Sequence, residues 1–203
     1  MSENFWDKLS ATDEGAAVYM STYGEGPGCP TRFALGEFIN DGESVLDVGC
    51  GPGWNYDHFK EHGPEVDYKG LDYSERFVRV ANQRNPGKYE VGDVRKVNEL
   101  DESWDVVILQ DVLEHTNGYK KPIKEALRVA RKRVIISFWR LNESAEDDQI
   151  NDDGDDGWGA AYSQKKWEKF LDTLDYHWLE HDIEYPKGHK RHFYIIDKVE
   201  RHG

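Results

Sequence analysis

Val45-Leu46-Asp47-Val48-Gly49-Cys50-Gly51-Pro52-Gly53 joins an aliphatic strand signal directly to three glycines at alternate positions. Val45, Leu46 and Val48 suit a buried parallel strand, and Asp47 places one carboxylate near its carboxyl end. Gly49, Gly51 and Gly53 allow a sharp turn and the close approach of a ligand that a Cβ would push away. In a dinucleotide-binding turn the third glycine comes one place later, where this chain has Trp54. That spacing speaks against a nicotinamide dinucleotide.

The segments that follow raise the value of the turn. Residues 68–71 read as a second strand ending in Asp72, about twenty residues beyond the loop, where an acidic side chain can accept hydrogen bonds from ribose hydroxyls. A third strand at 88–91 leads into Gly92-Asp93-Val94, and a fourth at 104–109 ends in Gln110-Asp111. Polar groups thus stand at four successive strand ends.

In this order and spacing the chain resembles the class I S-adenosylmethionine-dependent methyltransferases, most closely their small single-domain members acting on metabolites. The resemblance covers roughly residues 30–200. It implies that Asp47 and Gly49, Cys50, Gly51 and Gly53 hold the methionine part of S-adenosyl-L-methionine, and Asp72 the ribose. It further implies that Tyr73 lies against the adenine, Asp93 accepts from its exocyclic amine and Val94 offers a backbone amide. Gln110 and Asp111 would sit beside the sulfonium. Tyr73 departs from the aliphatic residue of many relatives.

Composition fits one domain spanning residues 1–203, a length able to bury one sizeable core. The first residues lack a basic start followed by an apolar run, and no apolar stretch approaches membrane-spanning length, so a cytoplasmic protein without membrane contact is expected. Two cysteines, Cys29 and Cys50, build neither a disulfide framework nor a four-cysteine metal site. A net charge of −14 would repel a phosphate backbone, which argues against nucleic acid and for a small-molecule acceptor. The basic cluster Lys120, Lys121, Lys124, Arg128, Arg131, Lys132 and Arg133 reads as the solvated face of a helix before strand five, with Ile123, Leu127 and Ala130 turned inward.

Strand and helix signals alternate, as in a parallel sheet covered on both faces. Residues 1–43 are expected to form a helical cap and lid, with helices around 5–9, 16–22 and 31–39, and with Tyr19 and Tyr23 as lid candidates. Further helices are expected at 54–61 and 74–85, and a nearly continuous apolar strand at 133–138. After a helix at 163–174, two extended runs at 176–185 and 192–199 are joined too closely for a parallel crossover and must pair antiparallel. With the resemblance, this implies a three-layer α/β Rossmann-like fold, sheet order 3-2-1-4-5-7-6 with strand 7 antiparallel.

Residues 142–159 carry eight carboxylates and three glycines. A calcium loop started at Asn151 fails at its diagnostic sixth and twelfth places, which are Asp156 and Tyr162. A solvated, mobile insertion after strand five is expected instead, acting as a substrate lid through Trp158 and Tyr162.

Methyl transfer requires alignment, exclusion of water and at times a base. Asp111, Glu114 and His115 follow strand four, and His115 is the expected catalytic base because its ordinary pKa suits neutral pH. The alternative is that residues 114–117 simply start the next helix, capped by Thr116 or Asn117. His177 and His181 share one strand face with Leu179 and Ile183, while His189, His192 and His202 lie near a turn or the terminus. No metal site is expected from these spacings. A monomer or weak homodimer is expected. Two other functions remain open on sequence grounds: an aminopropyl transferase on the same fold, and a non-catalytic partner subunit that binds S-adenosylmethionine.

Overall fold

A computed structural model describes residues 29–152, 158–185 and 189–198. Its main sheet contains β1 (Ser44–Val48), β2 (Asp67–Asp72), β3 (Tyr89–Val91), β4 (Trp104–Gln110), β5 (Ala130–Phe138), β9 (His177–Tyr185) and β10 (His189–Asp197). The spatial order is β3-β2-β1-β4-β5-β10-β9. β10 runs antiparallel to both β5 and β9, while the pairs from β3 to β5 are parallel. The seven-strand order and the single reversed strand expected from sequence are therefore found.

Alternation along the strands fills two cores. Leu46, Val48, Val107, Leu109, Ile136 and Tyr194 face one way and pack with Ile123, Ala126 and Leu127 of α4 (Lys120–Val129) and with Trp167 and Leu171 of α5 (Gln164–Leu171). Val45, Tyr68, Val106, Ile108, Ile135 and Phe193 face the other way. They meet Leu35 of α1 (Pro30–Gly36), Phe59 of α2 (Trp54–His62) and Val78 and Ala81 of α3 (Glu75–Arg84). Ser74 and Ser163 cap α3 and α5, their hydroxyls accepting from Phe77 N at 3.3 Å and Lys166 N at 3.4 Å.

Several expected boundaries move. Arg131, Lys132 and Arg133 lie on β5, which begins at Ala130, so the basic run is split between helix and strand. The strand residues are ion-paired: Arg131 with Asp105 at 3.0 Å, Lys132 with Glu43 at 3.3 Å, and Arg133 with Asp197 at 2.6 Å. Arg128 on α4 ties down the connector before β4, donating to Val97 O and Glu99 O at 2.8 Å each. These cations brace the structure. The expected helices at 5–9 and 16–22, with Tyr19 and Tyr23, lie outside the described residues.

The acidic stretch after β5 also differs from expectation. β6 (Leu141–Asn142) and β7 (Gln149–Asp152) flank β8 (Trp158–Ser163) in a second, three-stranded sheet. Asp148 Oδ1 accepts from Ser163 N at 2.9 Å, and Glu146 pairs with Lys165 at 2.8 Å. Backbone pairing and lysines of α5 thus offset the repulsion that argued for a solvated loop. Residues 153–157 and the Trp158 side chain lie outside the described set. Tyr162 is fully buried, so it is a core residue. Its hydroxyl lies 3.0 Å from Leu113 O and 2.9 Å from Thr116 O and accepts from Gly118 N at 3.2 Å, bracing the turn after β4.

Tyr162→Phe should therefore strip that turn of its only described brace from β8 and cost about 1–3 kcal/mol, the usual penalty for stranded buried groups. Denaturant unfolding would show it as a lower midpoint with an unchanged slope.

Candidate functional site

The loop after β1 is lashed to the end of β2. Gly49 N and Cys50 N both donate to Leu71 O, at 2.7 and 3.0 Å, and Gly51 N donates to Asp72 Oδ2 at 2.7 Å. Asp72 Oδ1 accepts from Ser74 N at 2.9 Å, so the carboxylate is oriented by backbone on both oxygens. All three loop glycines have positive φ, of 82°, 54° and 87° in order. Only two are packed: a Cβ on Gly49 would lie 2.4 Å from Val112 Cγ2, and one on Gly53 would lie 2.5 Å from the Tyr89 hydroxyl. A Cβ on Gly51 would meet nothing within 4 Å. Gly51 therefore faces open space beside Asp72, where a ligand can approach the backbone.

Beneath the loop Asp47 is fully buried. Its Oδ2 accepts from Tyr68 Oη at 2.7 Å and Asn55 Nδ2 at 3.0 Å, while Oδ1 has no hydrogen-bond partner. Burial raises its pKa to about 6 against the opposing effect of those two donors. The Cys50 thiol is likewise pushed up by burial and by the Asp72 and Asp47 charges, and its Sγ points inward against Gly70. At this position only the backbone is available to a ligand.

At the end of β4, Gln110 Oε1 is buried with no hydrogen-bond partner. Asp111 takes a left-handed backbone, φ 51°, that non-glycine residues seldom adopt. Its carboxylate accepts from Ser137 Oγ at 2.9 Å and lies 3.5 Å from Arg191 Nη1. Leu113–His115 then form a short 3-10 turn, closed by Thr116 Oγ1 donating to Leu113 O at 2.8 Å. The reading in which residues 114–117 begin the next helix is not found, since α4 starts at Lys120.

Glu114 is 1% exposed. Its Oε1 accepts from Trp139 N at 2.8 Å and Arg140 N at 3.3 Å, joining the turn after β4 to the chain leaving β5, and its Oε2 has no partner. Burial first, and the Asp111 charge second, raise its pKa to about 8. His115 beside it is half-buried. Trp139 is 40% exposed, with the Arg140 guanidinium 3.9 Å from its ring centroid.

The structure thus gathers Asp47, Gly49, Gly51, Gly53, Asp72, Gln110 and Asp111 at the carboxyl ends of neighbouring strands, where open α/β sheets hold ligands. Tyr73, next to Asp72, is 54% exposed. Asp93 is clasped by Arg95, whose Nε and Nη2 each lie 2.9 Å from a carboxylate oxygen, and Val94 is half-buried against the core. Sequence reading missed the supporting residues Asn55, Tyr68, Tyr89, Val112 and Ser137. Even Asn55, eight residues from Asp47, reaches it only because the loop folds the start of α2 back over β1.

Residues 46–138 match the model of a methyltransferase domain family. Over that stretch, a little under half of its length, the chain is similar to methyltransferase domains. A demethylmenaquinone methyltransferase of Renibacterium salmoninarum is 32% identical over 101 residues, 48% of this chain and 42% of that protein. The chain spans about two-fifths of the length of the curated relatives it matches. A putative methyltransferase solved with the Haloferax volcanii Trm112 activator superposes with a TM-score of 0.75, at 12% identity over 97% of this chain and 99% of that one. Haemonchus contortus phosphoethanolamine N-methyltransferase 2, solved with S-adenosyl-L-methionine, gives 0.72 at 16% identity, over 97% and 59%. At such identities the structures speak for the fold.

The site's own features fit S-adenosyl-L-methionine, the ligand of that solved structure. Gly51 leaves room for an approaching ligand, and buried acceptors without partners stand at the ends of β1 and β4.

An unfolded glutamate loses its proton near 4.5, whereas Glu114 in the folded domain keeps it to about 8. Between those values the folded state holds the extra proton, so this contribution to stability falls as pH rises through the window. Glu114→Gln cannot ionise, so its melting temperature relative to the unaltered chain should climb from about pH 5 to about pH 8. A difference that stays level across that range would remove the assignment.

Proposed function

We propose that this domain transfers the methyl group of S-adenosyl-L-methionine to an oxygen or nitrogen of a small polar acceptor. The observation carrying the proposal is the open, left-handed Gly51 beside an oriented Asp72, above the buried, partly unpartnered Asp47. When bound, the cofactor supplies an electrophilic methyl on a sulfonium. What remains for the chain is to orient, to exclude water and to handle a proton.

Asp47 and the loop from Gly49 to Gly53 would hold the amino-acid end, with Cys50 contributing backbone alone. Asp72 would take the ribose hydroxyls, using lone pairs not engaged by Gly51 N and Ser74 N. Gln110 and Asp111 would face the sulfonium. Tyr73, Asp93 and Val94 would flank the adenine, Asp93 sharing its carboxylate with Arg95.

Among the three candidate bases after β4, surroundings separate the roles. Glu114 still carries its proton at neutral pH, so it has no room for another. Asp111 is engaged by Ser137 and Arg191. His115, half-buried on the same turn, would take the acceptor's proton, because an imidazole's ordinary pKa suits proton transfer near neutrality. An acidic chain of net charge −14 supports a small acceptor over a nucleic acid. Among the described residues no helix is long and apolar enough to cross a membrane.

Calorimetry with S-adenosylhomocysteine should give a saturable heat, and isotope-labelled methyl donor should label one member of a panel of small alcohols and amines. Absence of any heat with either the donor or its spent form would end the proposal. Gly51→Ala should stay folded, with a left-handed alanine costing about 1–2 kcal/mol, yet lose the binding heat because its methyl fills the open side. His115→Ala should lower turnover about a hundredfold or more and flatten its pH dependence between about pH 6 and 9. Turnover that keeps its pH profile in that variant would take the base role from His115.

A further inference from the structure

A second constellation lies at the other side of β5. Glu180 and Asp182 share one face of β9, and β10 sets Tyr194 and His192 directly across from them. His192 is 4% exposed. Its Nδ1 lies 2.9 Å from Asp182 Oδ1 and 3.3 Å from Glu180 Oε1, and its Nε2 lies 3.7 Å from Glu143 Oε1, just beyond β6. We propose that Glu180, Asp182 and His192, through its Nδ1, bind one divalent transition cation of the zinc type, with Glu143 on the Nε2 edge of the ring.

Three lines of chemistry carry the proposal. The first is geometric. One ligand atom from each of Glu180, Asp182 and His192 falls within 4.8 Å of the other two. A tetrahedral ion with bonds of about 2.0–2.2 Å spaces its ligands roughly 3.3–3.6 Å apart, so small side-chain rotations close the set. The second is proton supply. A single Nδ1 hydrogen serves one of the two carboxylates that approach it, whereas a cation at that point serves both.

The third is charge. Glu143, Glu180 and Asp182 bring three carboxylates around the imidazole, and Lys190 is the cation recorded beside them, 3.5 Å from both Glu143 and Asp182. One ammonium leaves the group negative, and a divalent ion brings it near neutrality. Tyr194 Oη and Gln164 Nε2 hold Glu180 Oε1 at 3.0 and 2.9 Å, the outer support that fixes metal-binding carboxylates. An imidazole nitrogen among carboxylates favours zinc or manganese over magnesium and calcium, which prefer oxygen alone. Spacing along the chain did not disclose the set, because its residues converge across strands.

The test uses the whole chain, freed of metal with a chelator and without any S-adenosyl compound, so its outcome is independent of methyl transfer. Zinc chloride followed by calorimetry and elemental analysis should show one equivalent taken up, with a raised melting temperature, and magnesium chloride should not substitute. Asp182→Asn should weaken zinc binding at least tenfold, and His192→Ala should abolish it. Lys190→Met, which removes the competing cation, should keep or tighten it. Uptake that never saturates near one equivalent overturns the site. So does Asp182→Asn binding as tightly as the unaltered chain, and this exposed change carries the test alone if buried His192→Ala does not fold.

Discussion

Two amides of one loop converge on a single carbonyl: Gly49 N and Cys50 N both bond Leu71 O, and the next amide, Gly51 N, takes Asp72. This run of donors locks the turn after β1 to the end of β2. It also forces the backbone through positive φ, which is why glycine recurs there. Everything placed around the site inherits that lock. Asp72 is oriented by it, α2 starts from it, and Tyr89 of β3 can reach Gly53 O at 3.1 Å because the turn comes so close.

The site also shows how burial sorts chemically similar groups. Asp47, Asp111 and Glu114 are three carboxyls near two strand ends, yet their surroundings differ. Asp47 is tempered by a tyrosine and an amide, Asp111 is held by a serine and an arginine, and Glu114 is sealed in with one oxygen on backbone amides. Such differences of surroundings let a single strand end carry distinct roles.

Much of the fold was legible because its signals are local. Aliphatic runs at 45–48, 106–109 and 134–136 mark buried strands, and a six-residue gap between the two last extended runs forbids a parallel crossover. What escaped depends on partners far along the chain. The split of Arg131 to Arg133 from the helix follows from Asp105, Glu43 and Asp197, which no window around residue 131 contains. The acidic stretch looked unable to order because its compensating lysines sit on α5 and its strand partner is β8. In the site, the residue types were readable and their protonation was not, since proximity in sequence says nothing of burial. Glu114 and His115 are neighbours, one sealed and one half-open.

Val112 rests so tightly on Gly49 that no atom larger than hydrogen fits between them. The two positions therefore cannot be varied separately. Any library that enlarges residue 49 must trim residue 112 in the same clone, and the left-handed backbone at 49 still leaves a cost of about 1–2 kcal/mol that the trimming does not remove. Non-additivity of this kind is expected for residues in direct contact. It makes the 49/112 couple the natural place to learn how far the turns after β1 and β4 behave as one body.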